Sequence, residues 1–112
     1  MSTVEEIDPK TANALIEDGA LLLDVRNDDE WATGHAPAAT HMPLGELSER
    51  HTELPADRRI VVICRSGARS SRATEALVDA GYDVVNLAGG MQAWEAQGLP
   101  CVTDTGGPGT VA

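Results

Sequence analysis

One segment carries side chains whose types and order could do covalent chemistry: Cys64-Arg65-Ser66-Gly67-Ala68-Arg69-Ser70-Ser71-Arg72. It follows an uninterrupted apolar run, Ile60-Val61-Val62-Ile63, and leads into apolar residues at helical spacing, Ala73, Ala76, Leu77 and Ala80. A loop curled between a strand end and a helix N-terminus turns backbone N–H groups inward, and the helix adds partial positive charge. A cysteine at its centre has its thiolate stabilised, because the charged form gains hydrogen bonds and field. Such sites bring a thiol pKa from about 8.5 into a range of roughly 3.5–7.5. Gly67 suits a loop that needs positive φ or close backbone approach. Taken alone, Cys64 reads as a small buried hydrophobe ending a strand. The surrounding charge separates it from that reading. Between positions 58 and 74 stand Arg58, Arg59, Arg65, Arg69 and Arg72, with no acid among them. The remaining residues carry three basic side chains against all 18 acids, a formal −15, although the whole chain sums to −10. The stretch therefore attracts anions against the overall field. Arg58 and Arg59 precede the apolar run and belong at the opposite sheet edge, so Arg65, Arg69 and Arg72 are expected near the sulfur.

Such a loop needs a frame, and apolar periodicity describes one. Asp8-Pro9 reads as a helix cap followed by proline at the first helical position. Ala12, Leu15 and Ile16 then share a helical face, stopped at Gly19. Residues 21–25 form an apolar run broken only by Asp24, which suits a strand covered on both faces. Asn27 or Asp28 can cap a short helix through Trp31, ended by Gly34. A short strand at 40–42 and a polar helix at 44–51 follow. The run 60–64 is the clearest strand, β-branched throughout its apolar part. A helix ending at Gly81, a buried strand at 84–87 and a last helix at 91–97 complete the alternation. Strands alternating with helices predict an α/β fold in three α/β/α layers with a mainly parallel sheet. Ligands of such sheets lie outside the carboxyl ends of the strands, which points to Arg26, residues 64–69 and Ala88-Gly89-Gly90. Asp24, a charge in an apolar strand, needs a partner there, and Arg26 or loop amides are the candidates.

Composition excludes several classes. A net charge of −10 over 112 residues argues against nucleic-acid and anionic-membrane partners, whose binders carry basic footprints. The apolar runs are far too short to span a bilayer. The first eight residues, Met1-Ser2-Thr3-Val4-Glu5-Glu6-Ile7-Asp8, place acids where a signal peptide needs basic and then apolar residues. The expectation is one soluble cytoplasmic domain, acting as a monomer. Two cysteines make no disulfide framework. Cys101 is expected on the far side of the sheet from Cys64, unbonded to it. His35, His41 and His51 lack metal-binding spacing, so no metal is expected. His35 is read as fixing its loop, His41 and His51 as surface residues, and Trp94 as core. The Gly/Pro-rich stretch 104–112 has little to bury and is expected to be disordered.

The order Asp24-Val25-Arg26, Glu30-Trp31, Gly34-His35, then the loop 64–69, then Leu87-Ala88-Gly89-Gly90 with Ala93-Trp94, resembles a single-domain rhodanese, a sulfurtransferase, over residues 4–100. One departure is Ala36-Pro37-Ala38-Ala39, where the family usually has a bulkier apolar residue and then glycine after the proline. The resemblance implies a rhodanese-like domain over 1–103 with a five-stranded sheet, and Cys64 as the nucleophile that becomes a persulfide. It implies that Arg65, Ser66, Gly67, Ala68, Arg69 and Ser70 cradle the substrate, supported by Asp24, Arg26 and Arg72. No metal or organic cofactor is needed. The implied donor is a small sulfur-containing anion such as thiosulfate, to which an arginine directly after the cysteine points. The acceptor is cyanide in an assay and a small thiol or protein thiol otherwise. A rival class, the cysteine phosphatases and arsenate reductases, carries Cys-x5-Arg. Here the count to Arg69 is Cys-x4-Arg and the sixth position is Ser70, a smaller cradle that suits sulfur. A third reading is a regulatory binding module on the same fold, versions of which usually lack the cysteine that this chain keeps.

Overall fold

A computed structural model describes residues 4–112; residues 1–3, where the expected domain begins, lie outside the described residues. In chain order the elements are β1 (Glu6–Ile7), α1 (Pro9–Glu17), β2 (Leu21–Asp24), α2 (Asp28–Thr33), β3 (Ala39–His41), α3 (Leu47–Arg50), β4 (Ile60–Ile63), α4 (Ala68–Asp79), β5 (Val84–Leu87) and α5 (Gly90–Ala96). Short 3-10 turns flank α3 at Leu44–Glu46 and His51–Glu53. The strands form one sheet in the order β1-β5-β4-β2-β3, with every neighbouring pair parallel.

The central position of β4 follows from its composition. All four residues are fully buried, as a strand sandwiched between two helical layers must be. Alternation along it divides the core. Ile60, Val62 and Cys64 face the side covered by Ala73 and Leu77 of α4 and Leu47 of α3. Val61 and Ile63 face Ala12, Leu15 and Ile16 of α1 and Met91 and Trp94 of α5. The three-layer α/β/α architecture predicted from periodicity is the one found. Local signals hold as well: Asp8 accepts a hydrogen bond from Thr11 N at 2.7 Å and caps α1. Arg58 and Arg59 bond Gly19 O and Asp83, before β2 and β5, at the amino edge of the sheet.

Three features differ from the sequence expectation. The fifth strand, β1, is only two residues long and pairs Glu6 with Asn86 and Ile7 with Leu87; a segment this short carries no periodicity. Residues 104–112 fold back against the domain. Val102 bridges both His35 and Pro108, Gly109 N donates to Cys101 O and Thr110 N donates to Thr33 O, each at 2.9 Å. Val111 packs on the α1/α5 side of the core. Gly34 allows this approach, because a Cβ there would stand 2.6 Å from Thr110 N. The third difference is Cys101. After α5 the chain turns back, with Trp94 Nε1 donating to Pro100 O at 2.8 Å, and Cys101 comes to rest beside Gly34. Its sulfur lies 2.7 Å from where a Gly34 Cβ would be. Gly34 O in turn accepts from Arg26, so Cys101 stands toward the carboxyl end of β2, on the α1/α5 face opposite the one that holds Cys64. Both thiols are free.

Candidate active site

Cys64 is the residue after β4, and strand alternation turns its side chain to the α4 face, where it is 1% exposed. The carbonyls of Cys64 and Arg65 point the other way, accepting from Met91 N at 2.7 Å and Gln92 N at 3.0 Å of α5. That docking needs Gly90, whose φ is +57° and whose Cβ would lie 2.3 Å from Cys64 O. With its carbonyls held outward, the chain curls its amides around the sulfur. Gly67 N donates to Cys64 Sγ at 3.1 Å and the Ser70 hydroxyl lies 3.3 Å from it. Gly67 makes the turn at φ +106°, a conformation that side chains resist. Burial pushes the Cys64 thiol pKa up. The Ser70 hydroxyl and the amides of Ser70, Gly67 and Ser66 outweigh it, and the thiol ends below its ordinary value.

The arginines are arranged differently from the sequence expectation. Arg69, expected to grip a substrate anion, is committed to Glu30 of α2 through Nη1 at 2.6 Å and Nη2 at 2.8 Å. It adds positive field near the sulfur without being a free clamp. Arg65 is exposed, and its Nε donates to Ala112 O. Ser66 and Ala68 are exposed; Ser66 contributes its amide, while no side-chain bond ties Ala68 to the sulfur. Arg72 lies exposed further along α4 and makes none of these bonds.

Asp24 and Arg26 form a fully buried ion pair at 2.8 Å. Arg26 Nε lies 3.0 and 3.1 Å from the two Asp24 oxygens, and Arg26 N donates to Asp24 Oδ1 at 3.0 Å. The same guanidinium reaches Gly34 O at 2.8 Å and Glu30 O at 3.4 Å, fastening α2 over the end of β2. The pair therefore positions the helix that presents Glu30 to Arg69. His41, half-buried rather than a surface residue, sets Nε2 at 2.8 Å from Arg26 O. Trp31 stacks on both His35 and His41, with ring centroids 3.5 and 4.7 Å apart. His51 is likewise half-buried, against Tyr82. Among the described residues, no group of three or more His, Cys, Asp or Glu is placed to hold a metal ion.

Sequence reasoning misses Glu30 as a site residue, because its partner is 39 positions away and no local pattern joins them. The Arg69 guanidinium lowers its pKa to about 2, against the opposing effect of burial and with help from Asn27 N–H. A depressed carboxyl pKa gives stability that is present above the unfolded value and lost as pH falls through the folded one. Glu30→Gln is therefore expected to cost about 1–2 kcal/mol at pH 7, after solvent screening of the partly exposed arginine. The difference from the parent should shrink between pH 5 and pH 2, as urea unfolding at a series of pH values would show. A constant difference would mean that the pair contributes no pH-dependent stability.

Comparison with known proteins gives a consistent set of likenesses. The family model for the rhodanese-like domain matches residues 8–97. A protein from Allochromatium vinosum named sulfurtransferase is 42% identical over 106 residues, covering 92% of this chain and 99% of the relative. The thiosulfate sulfurtransferase GlpE of Pseudomonas savastanoi is 33% identical, over 86% of this chain and 92% of its own. Among solved structures, a rhodanese-related protein from Thermoplasma volcanium superimposes with a TM-score of 0.85 at 32% identity, over 89% of this chain and 99% of that one.

Proposed function

From the premise that this chain belongs to the rhodanese-like family, we propose that it is a sulfurtransferase that carries sulfane sulfur on Cys64. The observation that supports this most is the sulfur's surroundings, with Gly67 N at 3.1 Å and the Ser70 hydroxyl at 3.3 Å on one side chain. In the first half-reaction the Cys64 thiolate attacks the outer sulfur of a sulfane donor. A bond forms from Sγ to that sulfur, the donor's own sulfur–sulfur bond breaks, and the electron pair leaves with sulfite. The new terminal sulfur carries the negative charge, which the loop amides are placed to receive as they would an oxyanion. In the second half-reaction a thiophile attacks that terminal sulfur and Cys64 leaves as the thiolate. No electron source outside the donor and acceptor is required.

Thiosulfate is the proposed donor. The GlpE relative bears that substrate in its name, and Arg65, exposed and next to Cys64 in the chain, is the residue proposed to meet its sulfonate. Arg69, paired with Glu30, supports the charge at longer range. The proposed acceptor is a thiol, with cyanide as its assay substitute. Initial rates measured across thiosulfate and cyanide concentrations test the reading. Parallel double-reciprocal lines, with sulfite released before cyanide is added, are expected of the two-step transfer. Intersecting lines without that sulfite burst would exclude a sulfur-loaded enzyme form.

A further inference from the structure

Strand β5 reads Val84-Val85-Asn86-Leu87 and is buried throughout, so Asn86 places an amide in an apolar layer. Burying an amide is unfavourable unless its groups find partners. Its Nδ2 lies 2.9 Å from Glu6 Oε2 of β1 and 3.2 Å from Gly67 O, while its Oδ1 has no hydrogen-bond partner. The amide thus points both its donors outward from β5, one of them at the loop around Cys64.

What that donor does there follows from counting protons and lone pairs. The Ser70 hydroxyl lies within hydrogen-bond distance of two acceptors, Cys64 Sγ at 3.3 Å and Gly67 O at 3.2 Å. A hydroxyl has one proton and can give it to only one of them. Gly67 O has two lone pairs, and it already has two N–H donors, Ser71 N at 3.0 Å and Asn86 Nδ2 at 3.2 Å. We propose that Asn86 is a positioning residue for Cys64. By filling the second lone pair of the Gly67 carbonyl, it leaves the Ser70 proton to the cysteine sulfur. Glu6, accepting the other N–H, fixes which end of the amide faces the loop.

The inference rests on Cys64 being the reactive thiol, as proposed above. Its test uses alkylation, which needs no sulfur donor, so either reading can fail without the other. The rate of Cys64 alkylation by iodoacetamide is followed against pH on the Cys64 peptide by mass spectrometry, with near-ultraviolet circular dichroism reporting folding. Asn86→Val suits the strand, and Asn86→Ala serves as a second, smaller replacement. In both, the alkylation midpoint is expected to rise by about half a unit to one unit, the loss of one hydrogen bond to the thiolate. Ser70→Ala should raise it by a similar amount, and adding the Asn86 replacement to Ser70→Ala should raise it no further. The charged groups around the loop are Arg65 within it, Arg69 of α4 with Glu30 of α2, the Asp24–Arg26 pair and Glu6 of β1; these substitutions remove none of them. An unchanged midpoint in the folded Asn86 variants, or an undiminished further rise on the Ser70→Ala background, would overturn the proposal.

Discussion

Cys64→Ser is expected to lower thiosulfate–cyanide turnover by at least about a thousandfold. A serine hydroxyl is far less acidic than a thiol, and a loop that stabilises a thiolate cannot make an alkoxide at neutral pH. The surrounding groups remain: Gly67 N and the Ser70 hydroxyl still point at position 64. The fold should therefore survive, since the backbone bonds from Cys64 O to Met91 N and from Arg65 O to Gln92 N do not involve the sulfur. Turnover measured beside thermal unfolding separates the two effects. Substantial residual activity in a folded variant would move the chemistry away from this residue.

Arg26→Met is expected to destabilise the protein by about 3–5 kcal/mol, a large share of the roughly 5–15 kcal/mol that holds a domain folded. Asp24 and Arg26 are both fully buried, so removing the guanidinium leaves a buried carboxyl group without its main partner. Gly34 O and Glu30 O lose a donor in the same step. The cost is not the worth of the pair. Replacing both residues with apolar ones, Asp24→Leu with Arg26→Met, should recover part of the loss, because no buried charge then remains. Urea unfolding of the single and double variants measures this directly. A single variant less than about 1 kcal/mol below the parent would show that Asp24 finds another partner. The double variant should still turn over poorly, since α2 is no longer fastened and Glu30 no longer holds Arg69 in place.

How much of this was legible in the sequence depends on the range of each interaction. The central strand was, because four β-branched residues in a row have few alternatives. The cap at Asp8-Pro9, the loop at Cys64 and the turn at Gly67 were too, since each is specified within a few neighbouring residues. Asp24 and Arg26, two positions apart, could be matched by the need of a buried charge for a partner. The link from Arg69 to Glu30 spans 39 residues and that from Asn86 to Glu6 spans 80. Such contacts exist only once the sheet order is set, and that order is not written in any local pattern. Composition misled at the C-terminal stretch: its glycines read as slack, whereas Gly109 bonds Cys101 O and Gly34 admits Thr110. Cys101 packs on the face opposite Cys64 but nearer the carboxyl ends of the strands than the direction of α5 suggests, because periodicity does not give the return of the chain after that helix.

Intact-mass measurement after incubation with thiosulfate tests most directly whether sulfur rides on Cys64. The parent protein should gain the mass of one sulfur atom, lose it on adding cyanide, and release sulfite in equal amount. Cys64→Ser, treated identically, should gain nothing, and the adduct should map to the Cys64 peptide rather than to Cys101. A parent protein that gains no sulfur while remaining folded and reduced, or an adduct that persists in Cys64→Ser, would contradict the account.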